Sequence, residues 1–352
     1  MTRDFPYLQR NEGALTVGRL APSPTGAQHL GNARTFLFAW LSVRQHQGHL
    51  LLRIEDLDTP RTKFGADQQA MEDLRWLGLD WDEGPDAIAA EGTFLPKVQS
   101  QRLPRYAEVF QQILLQELVY PCTCTRKDIE EAQSAPHERA SLSSESWIGE
   151  IRYSGTCANH VVADAEVFAR EGRPFAWRFR MPDRVVRWLD GFAGWQECNP
   201  QQVLGDFVIA RMNGAPAYQF AVVVDDHDMH VTEIVRGDDL VPSTYRQLAI
   251  YEALGWRPPS MVHVPLVVGP DGRRLAKRHG DTRLATLREA GIRPETLWGF
   301  FAWCHGWIDA YRPFTAQQLL GIADLSSIPK TPLRFEELDA IQYFRQLQKD
   351  VS

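Results

Sequence analysis

Cysteine is scarce in this sequence, with five residues among 352. A small and odd number of cysteines argues against the paired disulfides that hold many secreted domains together. The sequence also lacks an apolar run near the roughly 20 residues that span a bilayer, and its start lacks the pattern of a signal peptide. We therefore expect a cytoplasmic protein with reduced thiols and without a membrane partner.

The sequence also lacks an excess of positive charge. The 38 basic residues are outnumbered by 45 acidic ones, which gives a formal net charge of −7. A protein that binds nucleic acid over its whole surface would be basic, so any RNA must be met by a local basic strip. The 44% hydrophobic and 24% charged content is ordinary for a globular enzyme, and composition indicates nothing finer.

Strand-like and helix-like stretches alternate from residue 15 onward, without an internal repeat. This pattern predicts an α/β fold with a parallel sheet. We predict strands at 15–19, 49–54, 231–235 and 262–268, and helices that end before Gly48, Gly78 and Gly255. Residues 218–224 are apolar throughout, so periodicity does not separate a strand from a buried helix there. Residues 1–11 are expected to form a loose tail, and the part after 294 to be mainly helical.

The segment 19–32 carries the densest chemistry. A strand and a loop rich in Pro and Gly lead to His29-Leu30-Gly31-Asn32 at the start of a helix. Backbone N–H groups at a helix start favour phosphate oxygens, and Gly31 lets a nucleotide approach the backbone. His29 can donate a hydrogen bond to phosphate as charge develops. Taken alone, this tetrapeptide is more typical of a surface loop that caps a helix, so the surrounding residues decide.

Those surrounding residues resemble the glutamyl-tRNA synthetases and their relatives, a class I family. The match begins at 18–26 and 29–34, where the family carries its "HIGH" tetrapeptide at 29–32, and continues at 53–61, 218–227 and 232–239. The resemblance covers about residues 13–310. It implies a Rossmann-like parallel-sheet core that joins glutamate to AMP from ATP and Mg²⁺ and passes the glutamyl group to RNA.

The second class I signature, the "KMSKS" loop, is matched by Arg274-Leu275-Ala276-Lys277-Arg278. Lys277 stands at the family's second lysine, whose ammonium can neutralise phosphate charge. The sequence departs from the pattern at 274, 276 and 278; two of these are cations that can hold phosphate, whereas Ala276 lacks the usual hydroxyl. The resemblance implies His29 and Lys277 as catalytic residues, and ATP binding by His29, Gly31, Asn32 and Lys277.

A site for glutamate needs an acidic group for the α-ammonium and cations for the two carboxylates, which a guanidinium suits best. The resemblance implies Arg19 for the side-chain carboxylate and Glu55 for the ammonium. The full implied set is Arg19, Leu20, Ala21, Pro22, Ser23, Glu55, Tyr218 and Arg236. By residue type alone, Glu55 and Arg236 could equally pair with nearby charges.

Cysteines lie on both sides of a Ser- and Glu-rich stretch at 132–146. We interpret this stretch as an inserted loop. Three thiols at 122, 124 and 157 suggest a tetrahedral zinc ion with one further ligand, although spacing alone favours three buried, reduced thiols. The arrangement resembles the metal motif of glutamyl-Q tRNA(Asp) synthetases, in which a tyrosine completes the site. The resemblance implies one structural Zn²⁺ held by Cys122, Cys124, Tyr153 and Cys157. His160, a chemically better zinc ligand, competes for the fourth place.

The length of the tail favours one branch of the family. The 75 residues after Lys277 are expected to be too few for the anticodon-binding region of a full glutamyl-tRNA synthetase. The glutamyl-Q family attaches glutamate to the queuosine base of tRNA(Asp), which implies ATP, L-glutamate and the tRNA(Asp) anticodon arm as partners of a monomer. Two alternatives stay open: a minimal glutamyl-tRNA synthetase that charges the 3′ end, and a non-catalytic RNA-binding paralogue.

The same resemblance divides the chain into four segments. It implies the first half of the Rossmann-like core at 13–120, an inserted acceptor and zinc subdomain at 121–203, the second half of the core at 204–293, and a short helical tail at 294–352.

Overall fold

The structure is a computed structural model that describes residues 2–5, 13, 15–24, 27–57, 64–86, 95–125, 127–129, 152–275, 281–337 and 339–350. The insertion at 132–146 lies outside the described residues. The chain forms two compact units, the first made of 1–10, 99–230 and 239–261, and the second of 11–98, 231–238 and 262–352. No helix in the described ranges combines the length and apolar character that a membrane crossing requires.

The described strands and helices are numbered in chain order. The strands are β1 Thr2–Phe5, β2 Val17–Leu20, β3 His49–Leu52, β4 Val119–Cys122, β5 Ala176–Phe179, β6 Val185–Asp190, β7 Gly194–Cys198, β8 Phe207–Ala210, β9 Glu233–Gly237, β10 Ser260–Val264, β11 Val267–Val268 and β12 Leu333–Arg334. The α-helices are α1 Leu30–Gln45, α2 Ala66–Trp76, α3 Leu103–Leu115, α4 Asp164–Arg170, α5 Pro200–Val203, α6 Tyr218–Asp228, α7 Val241–Ala253, α8 Leu284–Glu289, α9 Pro294–Cys304, α10 Ala316–Leu319 and α11 Ala340–Lys349.

The second unit is built on a parallel strand pair. β2 and β3 run in register from Val17 opposite His49 to Leu20 opposite Leu52, and α1 connects them. Parallel strands need such a crossover, and the helix buries its apolar side chains, including Leu37 and Trp40. The predicted parallel α/β core is therefore confirmed.

β9 lies next to β2 and extends the parallel arrangement of strands. The Thr232 N–H donates to the Val17 carbonyl at 2.8 Å, and the next residue along each strand, Gly18 and Glu233, is also adjacent. Contacts that advance together along both strands indicate that the strands run in the same direction. β9 pairs in turn with β10, which enters this unit at residue 262.

Two predictions for this unit need correction. The apolar run 262–268 forms two strands, β10 and β11, because Pro265 lies between them and cannot donate to a ladder. The part after 294 is mainly helical, as predicted, but it also contains β12, which pairs with β11.

The first unit contains two three-stranded sheets, β4-β5-β8 and β1-β6-β7. The expectation of a loose tail at residues 1–11 is wrong for 2–5, because β1 pairs parallel with β6 and buries Phe5 opposite Trp188. This pairing partner lies far along the chain, so the local polarity of the segment did not indicate it.

The ambiguous run at 218–224 is helical and forms most of α6. The helix is anchored by the buried carboxylate of Asp225, which accepts hydrogen bonds from Arg102 Nε at 2.6 Å and from the Tyr106 hydroxyl at 2.8 Å. A buried carboxylate is costly unless it is paired and hydrogen-bonded, so these partners fix the position of α6 within its unit. The four predicted functional segments, 13–120 to 294–352, stay a prediction.

Candidate active site and metal centre

Part of the candidate glutamate set, the segment from Arg19 to Ser23 and Glu55, is brought together by an extension of the β2–β3 pairing. Beyond the strands, the Arg53 N–H donates to the Leu20 carbonyl at 2.9 Å and the Glu55 N–H to the Pro22 carbonyl at 3.1 Å. The predicted segment from Arg19 to Ser23 therefore lies beside Glu55 at the carboxyl ends of two parallel strands. Ligands of open α/β sheets bind at these ends.

Three charged side chains of this region are buried. Arg19 and Glu55 are each 7% exposed, and Arg53 is fully buried. The Arg53 Nη2 atom lies 3.1 Å from Glu55 Oε1, so Glu55 does pair with a nearby charge, as its residue type allowed. A carboxylate accepts up to about four hydrogen bonds, so this ion pair and an ammonium ligand are compatible.

Arg236 lies in β9, at the same end of the unit's strands. It is 4% exposed, and its Nε donates to His263 Nε2 at 2.9 Å. This contact requires an imidazole nitrogen without a proton, so His263 presents an acceptor to a guanidinium here. Tyr218, the remaining residue of the predicted set, is the first residue of α6 and belongs to the other unit.

His29 is held in place by a capping box at the start of α1. The Gly31 N–H donates to His29 Nδ1, and the His29 N–H donates to Asn32 Oδ1, both at 3.1 Å. A Cβ on residue 31 would lie 3.1 Å from the imidazole ring, so a larger residue would crowd this fold-back. Because Nδ1 accepts, a neutral His29 carries its proton on Nε2.

Burial, followed by the charge of Arg274, lowers the pKa of His29 from 6.5 to about 4. The imidazole is therefore neutral at physiological pH, because burial disfavours its charged form. It can offer one N–H donor to an anionic ligand without carrying a formal charge.

The predicted lysine loop is attached next to His29 on both flanks. After the loop, the Leu30 N–H donates to the Thr282 carbonyl at 3.0 Å and the Leu284 N–H to the Gln28 carbonyl at 2.9 Å. Before the loop, Leu275 bonds to Val267, whose side chain lies close to Gly31. Lys277 itself, with Ala276 and Arg278, lies outside the described residues.

The cysteine cluster is located in the first unit, at the end of β4. The thiols of Cys122, Cys124 and Cys157 lie within 4.8 Å of one another, and the sulfur atoms of Cys124 and Cys157 are 3.5 Å apart. The Tyr153 hydroxyl lies 3.4 Å from Cys122 Sγ and 3.6 Å from Cys124 Sγ. The structure thus brings together all four predicted ligands.

These distances fit a tetrahedral zinc site. Zinc–sulfur bonds of about 2.3 Å and a zinc–oxygen bond of about 2.0 Å place two sulfurs about 3.8 Å apart and a sulfur and an oxygen about 3.5 Å apart. His160 is engaged elsewhere, since its Nδ1 lies 3.0 Å from the Pro121 carbonyl and its ring packs on Phe168. The geometry therefore favours Tyr153 over His160 as the fourth donor.

The chain is similar to known proteins both in sequence and in structure. Residues 16–324 match the family described as tRNA synthetases class I (E and Q), catalytic domain. The chain belongs to this family. Membership confirms the predicted class I fold and the predicted enzyme class, an aminoacyl-transfer ligase, and it implies ATP, an amino acid and tRNA as substrates.

Curated relatives of two kinds are similar to the chain. The glutamyl-Q tRNA(Asp) synthetase of Rhodopirellula baltica is 53% identical over 287 residues, which are 80% of this chain and 82% of that protein. The enzyme of the same name from Symbiobacterium thermophilum is 44% identical over 91% of this chain and 96% of its own. Glutamate–tRNA ligase 2 of Syntrophus aciditrophicus is 43% identical over 81% of this chain, but this match spans 56% of that protein.

Solved structures agree with the family. The glutamate–tRNA synthetase of Elizabethkingia anophelis superposes with a TM-score of 0.78 at 29% identity, over 96% of this chain and 71% of that one. A glutamate tRNA ligase from Elizabethkingia meningosepticum, in complex with its amino acid, gives a TM-score of 0.76 at 28% identity, over 96% and 69%.

Sequence reasoning missed three residues that support these sites. Arg53 pairs with Glu55, His263 accepts from Arg236, and Arg178 donates to the sulfur of Cys122. Arg53 gave a usable signal, because a charge directly after an apolar strand must find a partner. The other two contacts join segments far apart in sequence, and nothing local indicated them.

The protonation of His29 is directly testable. We expect its imidazole to titrate with a pKa of about 4 and to carry its proton on Nε2 at neutral pH. Because the unfolded chain takes up a proton near pH 6.5 and the folded chain does not, this residue lowers stability as the pH falls from 6.5 to about 4. NMR titration of labelled imidazoles, with His29→Asn to assign the signal, measures both properties; a pKa near 6.5 or an Nδ1-protonated ring contradicts the prediction.

Proposed function

We propose that this chain activates glutamate with ATP to glutamyl-adenylate and transfers the glutamyl group to the queuosine base of tRNA(Asp). The observation that carries the activation step is the backbone pairing that sets the segment 19–23 beside Glu55, with His29 capping the next helix. The acceptor is supported by the 53% and 44% identity to two enzymes named glutamyl-Q tRNA(Asp) synthetase.

In the proposed pocket, buried charges recognise the charges of glutamate. Arg19 binds the side-chain carboxylate, and Glu55 binds the α-ammonium while Arg53 holds its other face. Arg236, oriented by His263, completes this part of the pocket, and the backbone from Leu20 to Ser23 forms its wall. Paired charges in a site that excludes water discriminate strongly, because an analogue that lacks one charge leaves a buried group unsatisfied.

The first step forms the adenylate. An α-carboxylate oxygen of glutamate attacks the α-phosphorus of ATP, and the bond to the bridging oxygen of pyrophosphate breaks. His29 donates its Nε2–H to a phosphate oxygen, Gly31 and Asn32 keep this donor in place, and Lys277 supplies a positive charge. Mg²⁺ bound with ATP contributes further charge neutralisation. A neutral imidazole keeps one N–H to donate, so the lowered pKa of His29 is compatible with this role.

The second step transfers the glutamyl group. A hydroxyl oxygen of the queuosine cyclopentene ring attacks the carbonyl carbon of the mixed anhydride, an ester bond forms, and AMP leaves. The segment 121–203 is proposed to meet the anticodon arm of the tRNA as a subdomain inserted in the core. We further propose that the enzyme is a monomer and that it acts in the cytoplasm, where tRNA is found and thiols stay reduced.

The cysteine cluster is proposed to hold one structural zinc ion. Cys122, Cys124, Cys157 and Tyr153 offer three sulfurs and one oxygen at tetrahedral separations, with no position left for a substrate. Closed sites of this kind supply folding energy and not chemistry.

A second candidate is a glutamyl-tRNA synthetase that charges the tRNA 3′ end. The 43% identity to a glutamate–tRNA ligase and the two solved structures named for that activity favour it. Both candidates share the adenylate step and differ in the acceptor.

Glutamate activation is expected without RNA. Purified protein should exchange pyrophosphate into ATP with glutamate and not with glutamine or aspartate, because the proposed pocket pairs two carboxylates and one ammonium at fixed positions. Lys277→Ala should lower the exchange rate by about 100-fold or more, since it removes one aligned positive charge. Lys330→Ala, at an exposed lysine of the tail, is the control. Full exchange by Lys277→Ala would remove that lysine from the mechanism.

The fourth zinc ligand can be assigned by two substitutions. We expect about one zinc ion per chain, loss of metal and stability together in Cys122→Ser, and weakened binding in Tyr153→Phe. His160→Ala should keep its zinc, because that ring is bonded to the Pro121 carbonyl. Metal analysis and urea unfolding measure both effects. If Tyr153→Phe keeps its zinc and His160→Ala loses it, His160 is the fourth zinc ligand.

The acceptor is decided by two matched tRNA substrates. One is tRNA(Asp) that carries queuosine but ends in 2′,3′-dideoxyadenosine; the other has a normal 3′ end and guanine in place of queuosine. Labelled glutamate should enter the first and not the second, because only the first presents the cyclopentene hydroxyls. The opposite pattern would establish the second candidate, and labelling of neither RNA despite active exchange would overturn both.

A further inference from the structure

Arg178 stands on the same face of a sheet as the proposed metal ligands. It lies in β5, the central strand of the sheet β4-β5-β8, opposite Tyr120 of β4. Side chains alternate between the faces of a strand, so Tyr120 and Cys122 project to the side that Arg178 occupies. Arg178 is 6% exposed, and nothing in the proposed reaction uses it.

Two of the proposed ligands are in direct contact with this arginine. Its Nε donates to Cys122 Sγ at 3.2 Å. Its guanidinium carbon lies 3.7 Å from the centre of the Tyr153 ring, well within the distance of a cation–π interaction. One planar cation therefore touches a thiol at its edge and the phenol with its face.

The same side chain is anchored at its far end. The Nη1 atom donates to the Asp206 backbone carbonyl at 3.1 Å. The Asp206 carboxylate in turn accepts from the Tyr120 hydroxyl at 2.7 Å and from the Met181 N–H at 2.9 Å. Arg178 is thus held by the Asp206 carbonyl at one end and by the cysteine cluster at the other.

Gly205, which precedes Asp206, allows Tyr153 to lie close to Arg178. It has a φ of +67°, and a Cβ there would lie 2.7 Å from the Tyr153 carbonyl oxygen. A side chain at this position would push the Tyr153 backbone away. The backbone at 205–206 therefore sets the position of the Arg178 guanidinium and of the Tyr153 ring on which it stacks.

The contact of Arg178 with the cysteine cluster has an electrostatic role. Three thiolates outweigh the charge of a divalent zinc ion by one, and the cluster is largely buried. A buried net charge is costly unless an opposite charge lies beside it. Groups that hydrogen-bond to metal ligands also fix their orientation and tune metal affinity.

We propose that Arg178 is a positioning residue of the metal centre, which balances the thiolate charge and holds the Tyr153 phenol in the fourth position. The inference rests on the proposed zinc site, whose ligands it supports. A guanidinium suits both tasks, since it stays charged when buried and its plane stacks on an aromatic ring.

The test compares two substitutions at Arg178 with two at other arginines. Arg178→Gln removes the charge, and Arg178→Lys keeps it but loses the planar stack. Arg180→Gln removes a neighbour that stacks on Tyr120 and donates to the Ala158 and His160 carbonyls without contacting a thiol. Arg187→Gln removes a cation stacked on the half-exposed Trp195. Zinc affinity is measured by competition with a chromophoric chelator, and the ligand field by the visible spectrum of the Co²⁺-substituted protein.

We expect Arg178→Gln to weaken zinc binding by about 10- to 100-fold, as loss of a group that supports metal ligands does. Its Co²⁺ spectrum should shift, because both the thiolate and the phenol lose a contact. Arg178→Lys should fall between this variant and the wild type, and both control variants should keep wild-type affinity and spectrum.

Each contrary result has a distinct meaning. If the wild-type protein binds neither Zn²⁺ nor Co²⁺, the proposed metal site is wrong, and the inference falls with it. If the wild type binds and Arg178→Gln matches it in affinity and spectrum, the site stands and the role of Arg178 is wrong. Equal losses in Arg180→Gln would also overturn that role. Should Arg178→Gln fail to fold, wild-type behaviour of Arg178→Lys in both measurements would overturn it.

Discussion

The register between β2 and β3 determines the rest of the proposed active site. Their backbone pairing continues past the strands through the N–H groups of Arg53 and Glu55. Side chains alternate along a strand, so a slip of one residue would turn Arg19 and Glu55 to opposite faces. Such a slip would also break the backbone hydrogen bonds from Arg53 to Leu20 and from Glu55 to Pro22. These bonds beyond the strands therefore hold the spacing of the charges that are proposed to recognise glutamate.

Much of the second unit could be predicted from local sequence. The ends of α1, α2 and α7 were indicated by apolar spacing and by the glycines that follow them, because both signals act within a few residues. Strands whose partners are distant were harder: β1 pairs with β6, and β12 with β11. Their sequences are short and mixed, so the hydrogen bonds that define them exist only in the folded chain.

The candidate sites show the same limit at the level of side chains. The resemblance named Glu55, Arg236 and Cys122, and the structure adds one support for each: Arg53, His263 and Arg178. A buried charge or thiol requires a partner, but the sequence does not say which residue supplies it. The identity of the partner depends on strand pairing, and strand pairing is what short segments specify least.

Burial removes several arginines from the cations that can meet RNA. Arg19, Arg34, Arg53, Arg102, Arg178 and Arg236 are all less than a tenth exposed. All six are buried inside their units and are not available to phosphates on RNA. A carboxylate, an imidazole, a carbonyl or a thiol lies next to Arg34, Arg53, Arg102, Arg178 and Arg236. The basic residues that can contact tRNA are therefore fewer than the 38 in the sequence. Buried carboxylates, such as those of Glu55, Asp225 and Glu233, leave the surface as well, so burial does not change the sign of its charge. A chain with a negative net charge offers RNA no broad positive surface, so local groups of exposed cations, the shape of the RNA and the reacting base carry its recognition.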